Sequence, residues 1–224
     1  MSDTIKIAID GPSGSGKSTL AKGLASELGY VYVDTGAIYR TVGLFAKRNG
    51  IDPHDEETLA ARFSDIDISL KWTDAGQRIF LSGEDVSGLI RTPEASMYAS
   101  AVSALPKVRA FLLDMQRSFA KSQNVIMDGR DIGTVILPDA DVKIFMQADP
   151  AERARRRTLE LNEKGKNVTF EEVYEDMCRR DKNDSTRDVA PCVPAEDAVI
   201  FDNSGLDIAQ TLKKALEIIK EKLS

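Results

Sequence analysis

The stretch Ile5-Lys6-Ile7-Ala8-Ile9-Asp10-Gly11-Pro12-Ser13-Gly14-Ser15-Gly16-Lys17-Ser18-Thr19 decides how the rest of the chain is read. Residues 5–9 form an almost continuous apolar run, as a strand covered on both faces requires. The run passes into Gly, four residues, then Gly-Lys-Ser, and residues 18–28 continue as a helix. Each residue type has a physical reason. The glycines let backbone N–H groups curl around phosphate oxygens without a Cβ in the way. Lys17 brings a point charge to the terminal phosphates. Ser18 offers a hydroxyl to Mg²⁺ at the start of a helix whose dipole favours anions. Gly11, Pro12, Ser13, Gly14, Ser15, Gly16, Lys17, Ser18 and Thr19 are therefore the expected P-loop cradle for a nucleoside triphosphate. A Gly/Ser-rich turn with an incidental lysine is the competing reading, and the strand before and helix after weigh against it.

Working outward, residues 30–33, 125–127, 142–146 and 198–201 read as further short strands. Helical spacing appears over 38–49, over 107–121 (Val108, Leu112, Met115, Phe119) and at the end (Ile208, Leu212, Leu216, Ile219, Leu223). Alternating strands and helices predict an α/β fold: a three-layer α/β/α P-loop domain on a five-stranded, mainly parallel sheet. Residues 67–72 and 78–81 break the alternation as two extended segments around the turn-rich Thr73-Asp74-Ala75-Gly76. Residues 51–92 are thus expected to be an insertion carrying a small antiparallel sheet.

Composition narrows the chemistry. The chain has 224 residues, enough for a proper core. Lys plus Arg number 30 and Asp plus Glu 36, a formal charge of −6, which argues against a general nucleic-acid coat. His54 is the only histidine, so a His-rich metal site or a Ser-His-Asp triad would rest on one residue. It sits in the polar turn Asp52-Pro53-His54-Asp55-Glu56, where a surface role is expected. Cys178 and Cys192 cannot build a disulfide framework and suit a reducing compartment. No basic stretch followed by an apolar run opens the sequence, and no apolar run approaches the roughly 20 residues a bilayer needs. A soluble, cytoplasmic protein with no membrane partner is expected.

Two further motifs follow strands: Asp34-Thr35-Gly36-Ala37-Ile38-Tyr39-Arg40 and Asp128-Gly129-Arg130-Asp131-Ile132-Gly133-Thr134. Both are expected at the carboxyl ends of parallel strands, the rim where open α/β sheets bind ligands. Taken with Gly83-Glu84-Asp85-Val86-Ser87-Gly88-Leu89-Ile90-Arg91-Thr92 and the run from Arg180 to Pro191, they closely resemble the bacterial cytidylate kinases. The order and spacing carry the resemblance, from about Ile5 to the last helix. Two departures are small: Ser18 stands where many relatives have Gly, and Thr35 where many have Ser, keeping the hydroxyl.

The resemblance implies transfer of the ATP γ-phosphoryl group to CMP or dCMP, giving ADP and CDP or dCDP, by a monomer in pyrimidine nucleotide metabolism. It implies a core (residues 1–37, 93–150 and 183–224), a monophosphate-binding domain with a small antiparallel sheet (38–92) and a helical lid (151–182). It makes Arg40, Arg130 and Arg180 phosphate binders, puts Ser100, Arg109, Asp131 and Arg187 around the base, and points Asp184 with Arg180 at the sugar; Thr35 and Tyr39 join the substrate set. Residue chemistry agrees. The acceptor phosphate is already ionised, its second pKa being about 6, so no histidine base is needed and placed positive charge suffices. A carboxylate at Asp131 accepts from the cytosine amino group and meets the uracil carbonyl unfavourably. Asp128, at a strand end, is a candidate to organise Mg²⁺, with Asp34 competing and a turn cap as the plainer role. The run Glu152-Arg153-Ala154-Arg155-Arg156-Arg157 reads either as a solvated helical face or as a lid. The lid reading makes Arg153 and Arg157 catalytic beside Lys17, Arg130 and Arg180, with the lid tip near residues 163–167; spacing alone does not assign Arg155 and Arg156. Glu175–Arg179 suggests a surface ion pair, Trp72 a packing anchor and Cys178 a buried thiol. Two other readings remain open: a P-loop switch acting on a partner protein, and a P-loop kinase with a different small acceptor. No guanine-reading Asn-Lys-x-Asp motif supports the switch.

Overall fold

The computed structural model describes residues 4–73, 76–163 and 165–224. In chain order the elements are β1 (Lys6–Asp10), α1 (Lys17–Leu28), β2 (Val31–Asp34), α2 (Thr35–Arg48), α3 (Glu56–Ala60), β3 (Ile68–Thr73), β4 (Gly76–Leu81) and β5 (Glu84–Asp85). They continue with α4 (Pro93–Val102), α5 (Pro106–Ser118), β6 (Val125–Asp128), β7 (Val142–Gln147), α6 (Pro150–Glu163), α7 (Phe170–Thr186), β8 (Val199–Asp202) and α8 (Ile208–Lys222). A 3₁₀ turn covers Phe63–Asp65 and a wide, π-type turn covers Ile132–Ile136.

The central sheet has the order β2-β6-β1-β7-β8. β1 runs parallel to β6 and to β7, and β7 parallel to β8. The order reverses at β1: β2 and β6 lie on one side of it, β7 and β8 on the other. That switch point is where open α/β sheets leave a ligand crevice, and the residues after β1 and β6 open onto it. The five expected strands are all present, with ends moved by one residue where the ladder continues.

The structure divides into two compact units, residues 4–32 with 122–224, and residues 33–121. The first holds a core of Ile7, Ile9, Leu20, Leu24, Ile126, Ile144, Met146, Phe201, Ala215 and Ile219 between the sheet, α1 and α8. Full burial of an aliphatic side chain there contributes ~1.5–3 kcal/mol. Asp207 and Gln210 close a capping box on α8, so its stripe begins at a fixed turn. α1 differs: its N-cap is Gly16, left-handed at φ 90°, and among the described residues it has no side-chain cap. Its first amides remain available to an anion.

The second unit is organised by α2, whose N-cap Asp34 accepts from Ala37 N–H. Ile38, Val42 and Phe45 pack with Leu59, Ile79, Leu81, Val102, Val108 and Leu112. β3, β4 and β5 form the small antiparallel sheet. The expected segments 67–72 and 78–81 correspond to β3 and β4; Glu84–Asp85 adds a short third strand. The turn at Asp74-Ala75 lies outside the described residues, as do Lys164 in the lid-tip segment and residues 1–3. α4 and α5 pack with this unit, although residues 93–121 were expected with the core; the apolar faces of Val102, Val108 and Leu112 are covered by α2 and α3.

Candidate active site

The P-loop lies in the first unit, between β1 and α1. Gly11 has φ 143°, and a Cβ there would meet Met146 O at 2.3 Å, so only glycine fits. The Lys17 side chain curls back inside the loop: Nζ donates to Pro12 O at 2.5 Å and to Ser15 Oγ at 3.2 Å. Burial and the neighbouring Arg130 push the Lys17 ammonium down to about 7, against the pull of Asp128 and Asp10. Asn203 Nδ2 donates to Ser15 O at 3.1 Å and steadies the loop from the end of β8.

Ser18 Oγ donates to Asp128 Oδ2 at 2.6 Å, and Asp128 Oδ1 accepts from Tyr32 OH at 2.9 Å. The Ser18 hydroxyl thus directs its proton to a carboxylate and keeps its oxygen lone pairs for a cation. Hard oxygen donors of this kind suit Mg²⁺. No group of three or more His, Cys, Asp or Glu among the described residues is arranged to hold a metal on protein ligands alone.

Cations converge beside the loop. Arg130 Nε pairs with Asp184 Oδ2 at 2.9 Å. Asp184 raises the Arg130 pKa even though burial opposes it. Arg180 Nε is buried with no hydrogen-bond partner among the described residues. Burial and Arg130 depress the Arg180 pKa. Arg130 therefore repels both Lys17 and Arg180 in a poorly solvated corner, an arrangement that an anion relieves. Arg187 lies 3.7 Å from Asp131, both largely buried, and its Nε donates to Ala190 O at 2.8 Å. A cleft of about 440 Å³ in this unit is lined by residues including Pro12, Arg153, Asp181, Asp184 and Cys192. The Cys192 thiol is pushed up to about 11 by burial despite Arg130 and Lys17, so it is a neutral wall of the cleft.

α6 and α7 reach the cradle through Arg153 and Asp181. Arg153, 4% exposed, donates to Ala148 O, Ser13 O and Asp181 Oδ2. Arg157 pairs with Glu160 at 2.7 Å, Arg156 with Glu152, and Arg155 lies over the Phe170 ring. Arg179 pairs with Asp176 rather than with Glu175, because three residues along the helix brings the two heads together here.

The second unit carries the remaining expected residues. Arg40 Nη2 contacts both oxygens of Asp34, at 3.1 and 2.9 Å, and Arg91 stands 3.6 Å away. Burial raises the Asp34 pKa, but Arg40, Arg91 and the Ala37 N–H outweigh it and hold the carboxyl below its ordinary value. With that set of partners Asp34 is a poorer cation ligand than Asp128. Gln77 Oε1 in β4 accepts the Asp34 N–H at 2.9 Å. Thr35 and Tyr39 are buried on α2, and Arg109, buried on α5, lies over the Tyr39 ring at 5.6 Å while donating to Ser103 O. Ser100 is half-buried on α4. The expected substrate residues are thus divided between the two units.

His54 is exposed in its turn, its N–H bonded to Asp52. Trp72 meets Phe119 edge-on but stays 41% exposed. Cys178 is half-buried, whereas Cys192 is the buried thiol. Asp10, Asp181, Asn203, Gln77 and Arg91 have contacts at these sites that sequence reading did not assign. Asp10 had one signal, a carboxylate ending an apolar strand directly before Gly11.

Among the described residues no helix is long and apolar enough to cross a membrane. Solved structures share the fold: an uncharacterized protein from Eubacterium ventriosum (TM-score 0.55, 14% identity, covering 98% of this chain and 99% of that one) and a gluconokinase from Sinorhizobium meliloti (TM-score 0.51, 12% identity, 97% and 92%). Sequence relatives are much nearer. A cytidylate kinase from Caldicellulosiruptor bescii is 51% identical over 96% of this chain and 95% of its own. One from Carboxydothermus hydrogenoformans is 47% identical over 97% and 98%. The family profile described as cytidylate kinase matches residues 7–221. With its P-loop, its cation cluster and these relatives, the chain belongs to the cytidylate kinase family.

Proposed function

We propose that the chain transfers the γ-phosphoryl group of ATP to CMP or dCMP, giving ADP and CDP or dCDP. The observation that carries this reading is the convergence of Lys17, Arg130 and Arg180 beside the uncapped start of α1. Two anionic substrates supply the charge that such a corner lacks, and in-line transfer between phosphates needs little beyond positioning and compensating charge.

In this reading the amides of residues 11–19 and Lys17 cradle the ATP phosphates. A phosphate oxygen of CMP attacks the γ-phosphorus, the bond to the bridging oxygen breaks, and ADP leaves. Lys17, Arg130 and Arg180 meet the developing charge, with Arg153 and Arg157 assigned to the closing lid, residues 151–182. Arg40 binds the acceptor phosphate, with Thr35 and Tyr39 beside it. Asp131, steadied by Arg187, accepts from the cytosine amino group, and Asp184 with Arg180 serves the sugar; the family resemblance assigns Ser100 and Arg109 to the base as well. Ser18 and Asp128 are the residues for Mg²⁺, which when bound supplies positive charge at the transferring phosphates. The thiols suit a reducing, cytoplasmic compartment, and the family resemblance supports a monomer acting on small molecules, not on nucleic acid or membrane.

An ATP-coupled assay over CMP, dCMP, UMP, AMP and GMP tests the proposal. CMP and dCMP are expected to be turned over fastest. Slow ATP hydrolysis indifferent to every monophosphate overturns it.

A further inference from the structure

Asp10 is a buried carboxylate that the reaction above leaves unused. It ends β1, directly before Gly11, and is 5% exposed. Its Oδ1 accepts the Ile132 N–H and its Oδ2 the Gly133 N–H, each at 2.8 Å. These are the two amides that follow Asp131. The Asp131 carbonyl in turn accepts from Val135 and Ile136, opening the wide turn Ile132–Ile136. Bonds to consecutive amides fix two successive peptide planes, so the backbone that carries the Asp131 side chain cannot rotate without breaking one.

The same segment is closed on its other side. A Cβ at Gly133 would lie 3.1 Å from Lys143 Cδ and 3.5 Å from Asp10 Oδ2. Residues 131–133 are therefore held between a carboxylate and the stem of a lysine on β7. Burial raises the Asp10 carboxyl to about 7, with Asp131 adding to the rise and the two amides and Lys17 opposing it. A side chain kept there against desolvation calls for a reason beyond filling space. An asparagine has one acceptor oxygen and turns a donor toward the second amide, so only a carboxylate satisfies both.

We propose that Asp10 is a positioning residue for base selection: by holding the Ile132 and Gly133 amides it fixes the orientation of the Asp131 carboxylate, and so sets discrimination between an amino-bearing and a carbonyl-bearing pyrimidine. The inference rests on the reading of Asp131 as the group that meets the base. It differs from a role in fold stability alone, which would lower both substrates' turnover together.

The experiment compares kcat/KM for CMP and UMP, and KM for ATP, in the wild type, Asp10→Asn, Gly133→Ala and Asp131→Ala. Asp10→Asn is expected to lower the CMP-to-UMP ratio about tenfold, chiefly through KM for CMP, with KM for ATP moving less than about twofold. Gly133→Ala presses on the same contact from the Lys143 side, and the same direction is expected from it. It decides the matter if Asp10→Asn does not fold. If Asp131→Ala lowers the ratio while the folded Asp10→Asn variant, or failing that Gly133→Ala, leaves it unchanged, the inference is overturned. If Asp131→Ala itself leaves the ratio unchanged, the base-reading role of Asp131 fails and the inference falls with it.

Discussion

Arg153 and Asp181 form an ion pair at 2.6 Å that takes hold of both backbone groups of one P-loop residue, Ser13. The Asp181 Oδ1 accepts the Ser13 N–H at 2.9 Å, and Arg153 Nη1 donates to the Ser13 carbonyl at 2.6 Å. α6 and α7 are thereby joined to the cradle at a single residue, through the two peptide groups that flank it. Breaking a largely buried pair from one side leaves the other charge uncompensated and costs ~3–5 kcal/mol; because Asp181 keeps some exposure, ~2–3 kcal/mol is expected for Arg153→Ala. Urea unfolding measures it. KM for ATP is expected to rise in the same variant, and an unchanged KM contradicts the coupling of pair and cradle.

Lys17 gives a pH prediction with a definite sign. Its ammonium titrates at about 7 in the ligand-free protein because burial and Arg130 disfavour the charge. Triphosphate oxygens favour that charge and raise the value. Below pH 7 the lysine is already protonated and binding takes up nothing. Above pH 7 each bound ATP draws in part of a proton, and affinity weakens by up to about tenfold per pH unit. Calorimetry at pH 8 in buffers of different ionisation enthalpy reads the uptake directly. Lys17→Ala is expected to abolish the uptake and to lower turnover by at least about a hundredfold.

Two of the three P-loop glycines, Gly11 and Gly14, should not be equally replaceable. A Cβ at Gly11 meets a backbone carbonyl at 2.3 Å, while one at Gly14 meets the flexible Met177 Cε at 2.8 Å. Both positions have positive φ, which alone costs alanine ~1–2 kcal/mol. Gly14→Ala is expected near that figure, and Gly11→Ala at about 3 kcal/mol or more, since the strand rather than a side chain must move. Thermal unfolding of the two variants side by side ranks them; equal losses would contradict the steric account.

Asp34 gives the second unit a buried contribution to its acid response. Its carboxyl is held below the ordinary 3.8 by Arg40 and Arg91 against burial. A depressed carboxylate contributes stability above its unfolded value and loses it as pH falls through the folded one. Asp34→Asn is therefore expected to cost ~2–4 kcal/mol at pH 7, a gap that narrows as pH falls below 3.8 toward the folded value. Denaturant midpoints at pH 7 and pH 3 test this, and a constant gap between the proteins would refute it.

The sheet was legible in the sequence because buried parallel strands need continuous apolar runs, and Ile7, Ala8, Ile9, Val142 and Ile144 have few other uses. The cradle was legible because its glycines answer to a single backbone path. The assignment of α4 and α5 was not: helical spacing at Val108 and Leu112 gives an apolar face but says nothing about which unit covers it. Asp181 and Asp10 were hidden for a related reason. Their roles depend on partners 168 and 122–123 residues away, and a carboxylate's value to a distant amide leaves no mark in local pattern. Arg153 read as a lid arginine from its charge run; its bonds to Ser13 and Ala148 come from the fold.

The crowding of Lys17, Arg130 and Arg180 also bears on how the protein withstands heat in ordinary buffers. Arg130 disfavours the charge on both Lys17 and Arg180 in poor solvent, so a compact polyanion that compensates them binds the native chain in preference to the unfolded one. Stability then becomes a function of solution composition: at a free concentration one hundred times its dissociation constant, such an anion adds about 2.7 kcal/mol. A melting temperature measured in phosphate is expected to exceed one measured in chloride at equal ionic strength, and mutating Arg180 should narrow the difference.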